Sequence, residues 1–250
     1  MTINGASAPR VRAVLLDIEG TTTPVSFVYD VLFPYARRHL DDYVAAHTGS
    51  PDFSRIVAML GDEWLADRSR GEEVDVAKPS SNDPSSVVRY LTWLMDRDRK
   101  SPALKLVQGE IWETGYRTRE LRGRVFDDVP PALERWSADD MTVAIYSSGS
   151  VLAQRLLFAN SEMGDLTPFI DQYFDTAVGA KRSSESYERI ARVFAAMPAE
   201  VLFISDVDEE LEAARSAGMR VLMCARPGNA SETSLVAPTI RSFDEVDALL

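Results

Sequence analysis

The spacing of apolar residues changes period twice along the chain. Val11 to Leu16 is a short apolar run that stops at Asp17, the signature of a strand buried on both faces. After Pro24 the period turns helical. Val28, Val31, Leu32, Tyr35, Ala36 and Leu40 recur every three or four residues, and Phe53, Ile56, Val57, Leu60 and Trp64 repeat the pattern. A polar stretch, Ser69 to Pro84, reads as a loop. Val87, Val88, Tyr90, Leu91, Leu94 and Met95 predict another helix, and Leu104, Leu106, Val107, Ile111 and Trp112 a fourth. No strand is expected between Thr23 and Asp128. Pro130 and Pro131 then open a helix, which proline begins well but does not continue. Strand and helix signals alternate from there. Strands are expected at Met141 to Tyr146, Tyr173 to Asp175, Val201 to Ile204 and Val221 to Cys224, the last clear core strand. Helices are expected at Val151 to Phe158, at about Ser184 to Ala196, and through Leu211, Ala214 and Ala217 to a stop at Gly218.

This order predicts an α/β protein: a doubly wound parallel-sheet core from residues 9–24 and 129–250, with a helical cap domain, 25–128, inserted after the first strand. An insert at that point hangs over the strand ends, where a lid excludes water and selects substrates. The 250 residues suffice for such a core. The net charge is -12, from 27 basic and 39 acidic residues, which argues against nucleic acid or an anionic membrane as partner. Residues 1–10 read as a loose tail without a hydrophobic signal core, and no apolar run reaches membrane-spanning length. With Cys224 the single cysteine, no intrachain disulfide forms, and a cytoplasmic enzyme is expected.

Chemistry gathers at the strand ends, where open α/β sheets bind ligands. The first strand offers Asp17 and Glu19, two residues apart and so able to point the same way, followed by Gly20 and three threonine hydroxyls. Two carboxylates this close call for a cation or a shared proton, and Mg²⁺ takes oxygen ligands while keeping positions open for water and phosphate. The second strand ends in Ser147 and Ser148, the loop after the third carries Lys181, and the fourth ends at Asp206. Carboxylates for a metal, hydroxyl and N–H groups for a phosphoryl oxygen and one cation are the parts of a metal-assisted phosphoryl-transfer site.

Asp17-x-Glu19-Gly20-Thr21, Ser147, Lys181 and Asp206 match in order the four motifs of the haloacid dehalogenase superfamily. Its phosphatases usually carry D-x-D-G-T; here Glu19 replaces the second Asp. With that departure the chain resembles the enolase-phosphatases of methionine salvage, the acireductone synthases. Tyr146-Ser147-Ser148-Gly149-Ser150, Phe174-Asp175-Thr176, Ser184-Glu185-Ser186-Tyr187, Arg226-Pro227-Gly228-Asn229-Ala230, Gln108-Gly109 and Trp112 extend the match. The resemblance implies enolisation of 2,3-diketo-5-methylthiopentyl 1-phosphate, then removal of its phosphate through a phospho-aspartate on Asp17. It implies one Mg²⁺ per chain at Asp17, Asp206 and the Glu19 backbone carbonyl, with Ser147, Ser148 and Lys181 on the substrate. It also implies a monomer acting on this small phosphorylated diketone. From the residues, Glu19 reaches about one methylene further than Asp, and proton transfer needs roughly 3 Å; a role for Glu19 in the proton step of enolisation is therefore expected, with Lys181 as the rival.

Several of these residues also have plainer readings. Ser147 and Ser148 suit helix N-caps, Lys181 alone suits a solvated surface, and Asp206, Asp208, Glu209 and Glu210 form an acidic run of the kind that usually faces water. Asp208 is placed outside the immediate site, His39 and His47 are read as structural or surface groups, Trp112 as core and Cys224 as a buried, inert thiol. The rival functions are a generic Mg²⁺-dependent phosphatase, a metal-free dehalogenase, and a non-enzymatic binding module on the same fold.

Overall fold

The computed structural model describes residues 9–229 and 231–249; residues 1–8 of the tail expected over 1–10 and the matched Ala230 lie outside them. The chain divides into two compact units. Tyr29–Leu121 form one, and the segments up to Val28 and from Arg122 form the other.

The second of these units is built on a six-stranded parallel sheet: β1 (Ala13–Leu16), β2 (Thr142–Tyr146), β3 (Gln172–Phe174), β4 (Val201–Ser205), β5 (Arg220–Cys224) and β6 (Thr239–Ile240). Their spatial order is β3-β2-β1-β4-β5-β6, the doubly wound arrangement. β1 sits at its centre: Leu16 pairs with Ile145 of β2 on one side and Ile204 of β4 on the other. The switch point lies there, because the chain winds outward from β1 through β2 and β3, then returns to β4 on the opposite side. Alternation along the strands sends Ala13 and Leu15 of β1, Ala144 and Tyr146 of β2, and Val201 and Phe203 of β4 to one fully buried face. Tyr187 and Ile190 from a following helix and Leu211 and Ala214 from another cover it.

The helices are α1 (Val25–Phe27), α2 (Phe33–Arg38), α3 (Leu40–His47), α4 (Pro51–Ser69), α5 (Pro84–Asp96), α6 (Pro102–Thr118), α7 (Val129–Ala138), α8 (Val151–Ala159), α9 (Ser184–Val193) and α10 (Asp208–Ser216). Gly218, at φ 90°, closes the turn after α10, and its N–H donates to the Arg215 carbonyl.

Three expectations need correction. The first helical stretch is not one regular helix: a π-helical turn spans Val28–Leu32, and Val31 is exposed. Pro34 has no N–H to return to the carbonyl four residues back, so the ladder loosens just before it. Leu106 is exposed as well; at 100° per residue it falls off the face shared by Leu104, Val107 and Ile111. Finally, β6 had no sequence signal. Two residues are too few to show a period, and β6 is held through β5 by the Met223 N–H on the Pro238 carbonyl at 2.9 Å and the Ala225 N–H on Ile240 at 2.8 Å.

Other readings agree with the structure. Trp112 is buried, with its indole N–H donating to the Leu32 carbonyl at 2.9 Å. His39 and His47 stack on Tyr35 and Tyr43, one turn earlier in the chain. Burial pushes the Cys224 thiol up to about 12, so it stays protonated.

Candidate active site

Asp17 follows directly on β1, and its N–H continues the ladder to the Ile204 carbonyl at 3.0 Å. The chain then turns tightly. The amides of Thr21, Thr22 and Thr23 converge on the Ile18 carbonyl, and the Thr22 hydroxyl donates to the Asp17 carbonyl at 3.1 Å. Gly20 lies inside this turn at φ 71°. A side chain there would also collide with Asp206, since a Cβ would lie 2.2 Å from Asp206 Oδ2. The turn and the fourth strand end are thus packed together by the absence of a single methyl group.

The Asp17 carboxylate is held on both oxygens. Oδ1 accepts the Ile18 N–H at 2.8 Å and the Lys181 ammonium at 2.6 Å. Oδ2 lies 3.2 Å from Ser205 Oγ. Lys181 is no surface lysine. Its side chain is 10% exposed, between Asp17 and Glu210, and its Nζ is 2.6 Å from each. Its backbone carbonyl accepts the hydroxyl of the fully buried Tyr187 at 2.6 Å, so α9 fixes the loop that carries it. Burial alone would push the ammonium down; the two carboxylates outweigh it and hold Lys181 well above its ordinary value.

Glu210 overturns the solvated-face reading of the acidic run. It lies on the buried side of α10, 9% exposed, and Ser205 Oγ is 3.2 Å from it as well as from Asp17. Ser205 accepts the Val207 N–H and has one hydrogen for two carboxylates. Burial and the charge of Asp17 push Glu210 up to about 7 against the pull of Lys181, because two carboxylates share one ammonium. Glu210 was legible in principle: it shares a helical face with Ala213, Ala214 and Ala217. Asp208 instead accepts the hydroxyl of Ser234.

Asp206 follows directly on β4, and burial, then the charges of Asp17 and Glu19, push it up to about 7. Glu19 is half-buried in the turn after Asp17. This donor set fits a hard cation. Asp17 and Asp206 repel one another at close quarters, and a divalent ion removes that cost. Among the described residues no three His, Cys, Asp or Glu side chains form a metal-holding group. Two carboxylates with a backbone carbonyl suit Mg²⁺, which keeps several waters, better than an ion that needs a full protein cage.

On the other side of β1, Ser147 extends β2: its N–H donates to the Phe174 carbonyl at 3.1 Å, and its Oγ accepts the Gly149 N–H at 3.2 Å. Neither Ser147 nor Ser148 is the N-cap of α8. That role belongs to Ser150, whose Oγ accepts the Ala153 N–H. Ser148 is half-buried in the same loop. The buried Gln154 ties the loop down, its amide donating to the Gly149 and Phe174 carbonyls at 2.9 Å each. Register therefore brings Asp17, Ser147 and Asp206 to one edge of the sheet, with Lys181 bonded to Asp17.

The sequence profile of the haloacid dehalogenase-like hydrolases matches residues 11–218. The enolase-phosphatase E1 of Synechococcus elongatus is 48% identical over 236 residues, covering 94% of this chain and 98% of that protein. This chain belongs to the enolase-phosphatases of the haloacid dehalogenase-like hydrolases. A Pseudomonas aeruginosa enolase-phosphatase E1 is 44% identical over 94% of this chain and 98% of its own length. Among solved structures, the UTR4 protein of Saccharomyces cerevisiae superposes with a TM-score of 0.74 at 32% identity, covering 94% of this chain and 99% of that one. No helix among the described residues is long and apolar enough to cross a membrane.

Proposed function

We propose that this enzyme enolises 2,3-diketo-5-methylthiopentyl 1-phosphate and then hydrolyses its phosphate ester, giving the acireductone 1,2-dihydroxy-3-keto-5-methylthiopentene in methionine salvage. One observation carries the site assignment. Asp17 lies buried at the switch point, with Lys181 on one oxygen and a second carboxylate, Asp206, packed against its turn.

Asp17 attacks phosphorus: a bond forms from its carboxylate oxygen and the bond to the enol oxygen breaks. Water then cleaves the phospho-aspartate and restores the carboxylate, so one hard displacement becomes two easier ones. Lys181 orients the nucleophile and balances phosphate charge, while Ser147 and Ser148 hold phosphoryl or diketone oxygens with hydroxyl and N–H groups. Asp17, Asp206 and the Glu19 carbonyl are the groups that would hold Mg²⁺, which supplies charge neutralisation on the phosphoryl oxygens. In enolisation Glu19 takes a proton from the phosphate-bearing carbon next to the ketone and a proton is returned to the ketone oxygen, so that a C=C bond forms as the C=O becomes an enol. The protein is read as a cytoplasmic monomer, from its resemblance and its cysteine usage.

The test is phosphate release from the diketone phosphate, with and without Mg²⁺, while ultraviolet absorbance reports the enol. A transient enol signal before Mg²⁺-dependent release is expected. Release from ordinary phosphate esters but not from this substrate would overturn the substrate assignment and leave Asp17 as nucleophile. Glu19→Asp should lose enolisation more than hydrolysis of a simple ester; equal losses remove Glu19 from the proton step.

A further inference from the structure

Asn229 stands at the end of the turn after β5, and its side chain reaches back to the nucleophile loop. Its amide donates to the Gly20 carbonyl at 2.8 Å and to the Cys224 carbonyl at 3.0 Å. These two acceptors fix the orientation of the amide, since a flipped Asn229 would set its own oxygen against two carbonyls. The remaining atom, Oδ1, is buried and has no hydrogen-bond partner. Buried acceptors are rarely left so.

Its direction is informative. Oδ1 lies 2.9 Å from the point a Gly20 Cβ would occupy, and Asp206 Oδ2 lies 2.2 Å from that same point. An amide oxygen and a carboxylate oxygen thus converge on one small space over Gly20. With Asp206 ionised, as a magnesium ligand is, both are acceptors that do not bond each other, and a donor between them satisfies both. The donor this site calls for is water, because Mg²⁺ retains several waters when few protein ligands hold it.

We propose that Asn229 is a positioning residue of the magnesium site, its Oδ1 accepting a hydrogen bond from a water of the ion's hydration shell. The inference rests on the reading of Asp17 and Asp206 as the magnesium ligands. It gives Asn229 two tasks: the amide ties the Gly20 turn to the end of β5, and the carbonyl orients the hydrated ion beside Asp206.

The experiment is calorimetric titration of the full chain, stripped with EDTA, with Mg²⁺ alone and no substrate. Asn229→Ala removes both tasks and should weaken the Mg²⁺ Kd about tenfold or more, the usual scale for an outer partner of a metal site. Asn229→Asp loses the amide tie but keeps an oxygen over Gly20, and should bind Mg²⁺ at least as tightly as the unaltered protein while melting lower in EDTA. If Asn229→Ala does not fold by circular dichroism, Asn229→Ser, whose hydroxyl falls short of that space, should show the same weakening. An alanine (or serine) Kd within about twofold of the unaltered one overturns the proposal. So does an Asn229→Asp protein as weakened as Asn229→Ala, since Asn229 would then be a tether only. Failure of the unaltered protein to take up Mg²⁺ overturns the metal reading itself, and is distinguished by showing before any substitution.

Discussion

Each unit of this protein buries an aspartate among charged partners, and the two clusters are settled differently. In the helical unit, Asp67 is 2% exposed. It accepts Arg70, Arg99 at 2.5 Å and the Tyr90 hydroxyl at 3.0 Å, and Arg99 also reaches Glu72 at 2.6 Å. Two guanidinium groups meet two carboxylates. A cavity of about 210 Å³ opens on this cluster, where Asp67, Arg70 and Arg99 are already paired with one another. In the α/β unit, one ammonium serves Asp17 and Glu210, with Asp206 and Glu19 close enough to raise one another's cost. A charge cluster that closes its own account holds a fold together. One left with surplus negative charge is waiting for a cation, and that difference marks the site more surely than burial does.

Substitution should separate the two clusters most sharply at the aspartates. Asp17→Asn should lower phosphate release by about 10⁴-fold or more, the scale of losing a nucleophile. In EDTA it should leave the melting temperature unchanged or higher, since Lys181 and Glu210 remain as a one-to-one pair. Asp67→Asn should do the reverse to stability, costing about 2 kcal/mol, because the Tyr90 hydroxyl, Arg70 and Arg99 all lose a buried charged acceptor. Thermal melts of both variants in EDTA decide it; a loss of stability equal to that of Asp67→Asn in the Asp17 variant would erase the distinction.

The surplus charge also predicts a pH dependence. Glu210 titrates at about 7 in the folded chain against an ordinary 4.5, so the folded state holds the extra proton between those values. Stability from this group is full below about 4.5 and is lost as pH rises through about 7. Asp206 adds a contribution of the same sign. The EDTA-treated protein should therefore melt lower at pH 8 than at pH 5.5, and Glu210→Gln should flatten the curve. An unchanged slope in that variant would contradict the assignment.

The smallest effects lie at two helix caps. Ser50 accepts the Phe53 N–H at the start of α4, and Ser150 accepts the Ala153 N–H at the start of α8. Alanine at either position should cost about 1 kcal/mol. Only Ser150→Ala should also raise KM, because α8 carries Gln154, which holds the Gly149 loop. Equal KM values for the two variants would show that the loop does not depend on the cap.

Much of the site was legible because strand ends are visible in sequence: Asp17 and Asp206 each terminate an apolar run. Lys181 was singled out only by its place in the loop after the third strand, and alone it suited a solvated surface, for a lysine in a loop carries no sign of the carboxylates that will bury it. Glu210 was hidden by its neighbours in the acidic run, and only the phase of α10 separates it from Glu209. The orphaned oxygen of Asn229 had no signal in sequence, since it depends on how two distant turns meet. The fold shows the same boundary. Long periodic helices were readable, whereas β6 exists by pairing and the π-helical turn by the missing N–H of Pro34.

The central place of β1 also bears on how the chain folds. Ala13 pairs with Thr142 and with Val201, so both of its neighbours are remote in sequence. Closing such large loops costs entropy that grows slowly with length and retards folding. The helical unit offsets part of this. Its own contacts are comparatively local, and the Tyr35 hydroxyl on Glu120 at 2.9 Å ties its beginning to its end. Once formed, that unit turns a long flexible connection between β1 and β2 into a short one. β1 then waits on β4, and until Val201 to Ser205 arrive it keeps one open edge, the part of this chain most exposed to mispairing on the way to the native state.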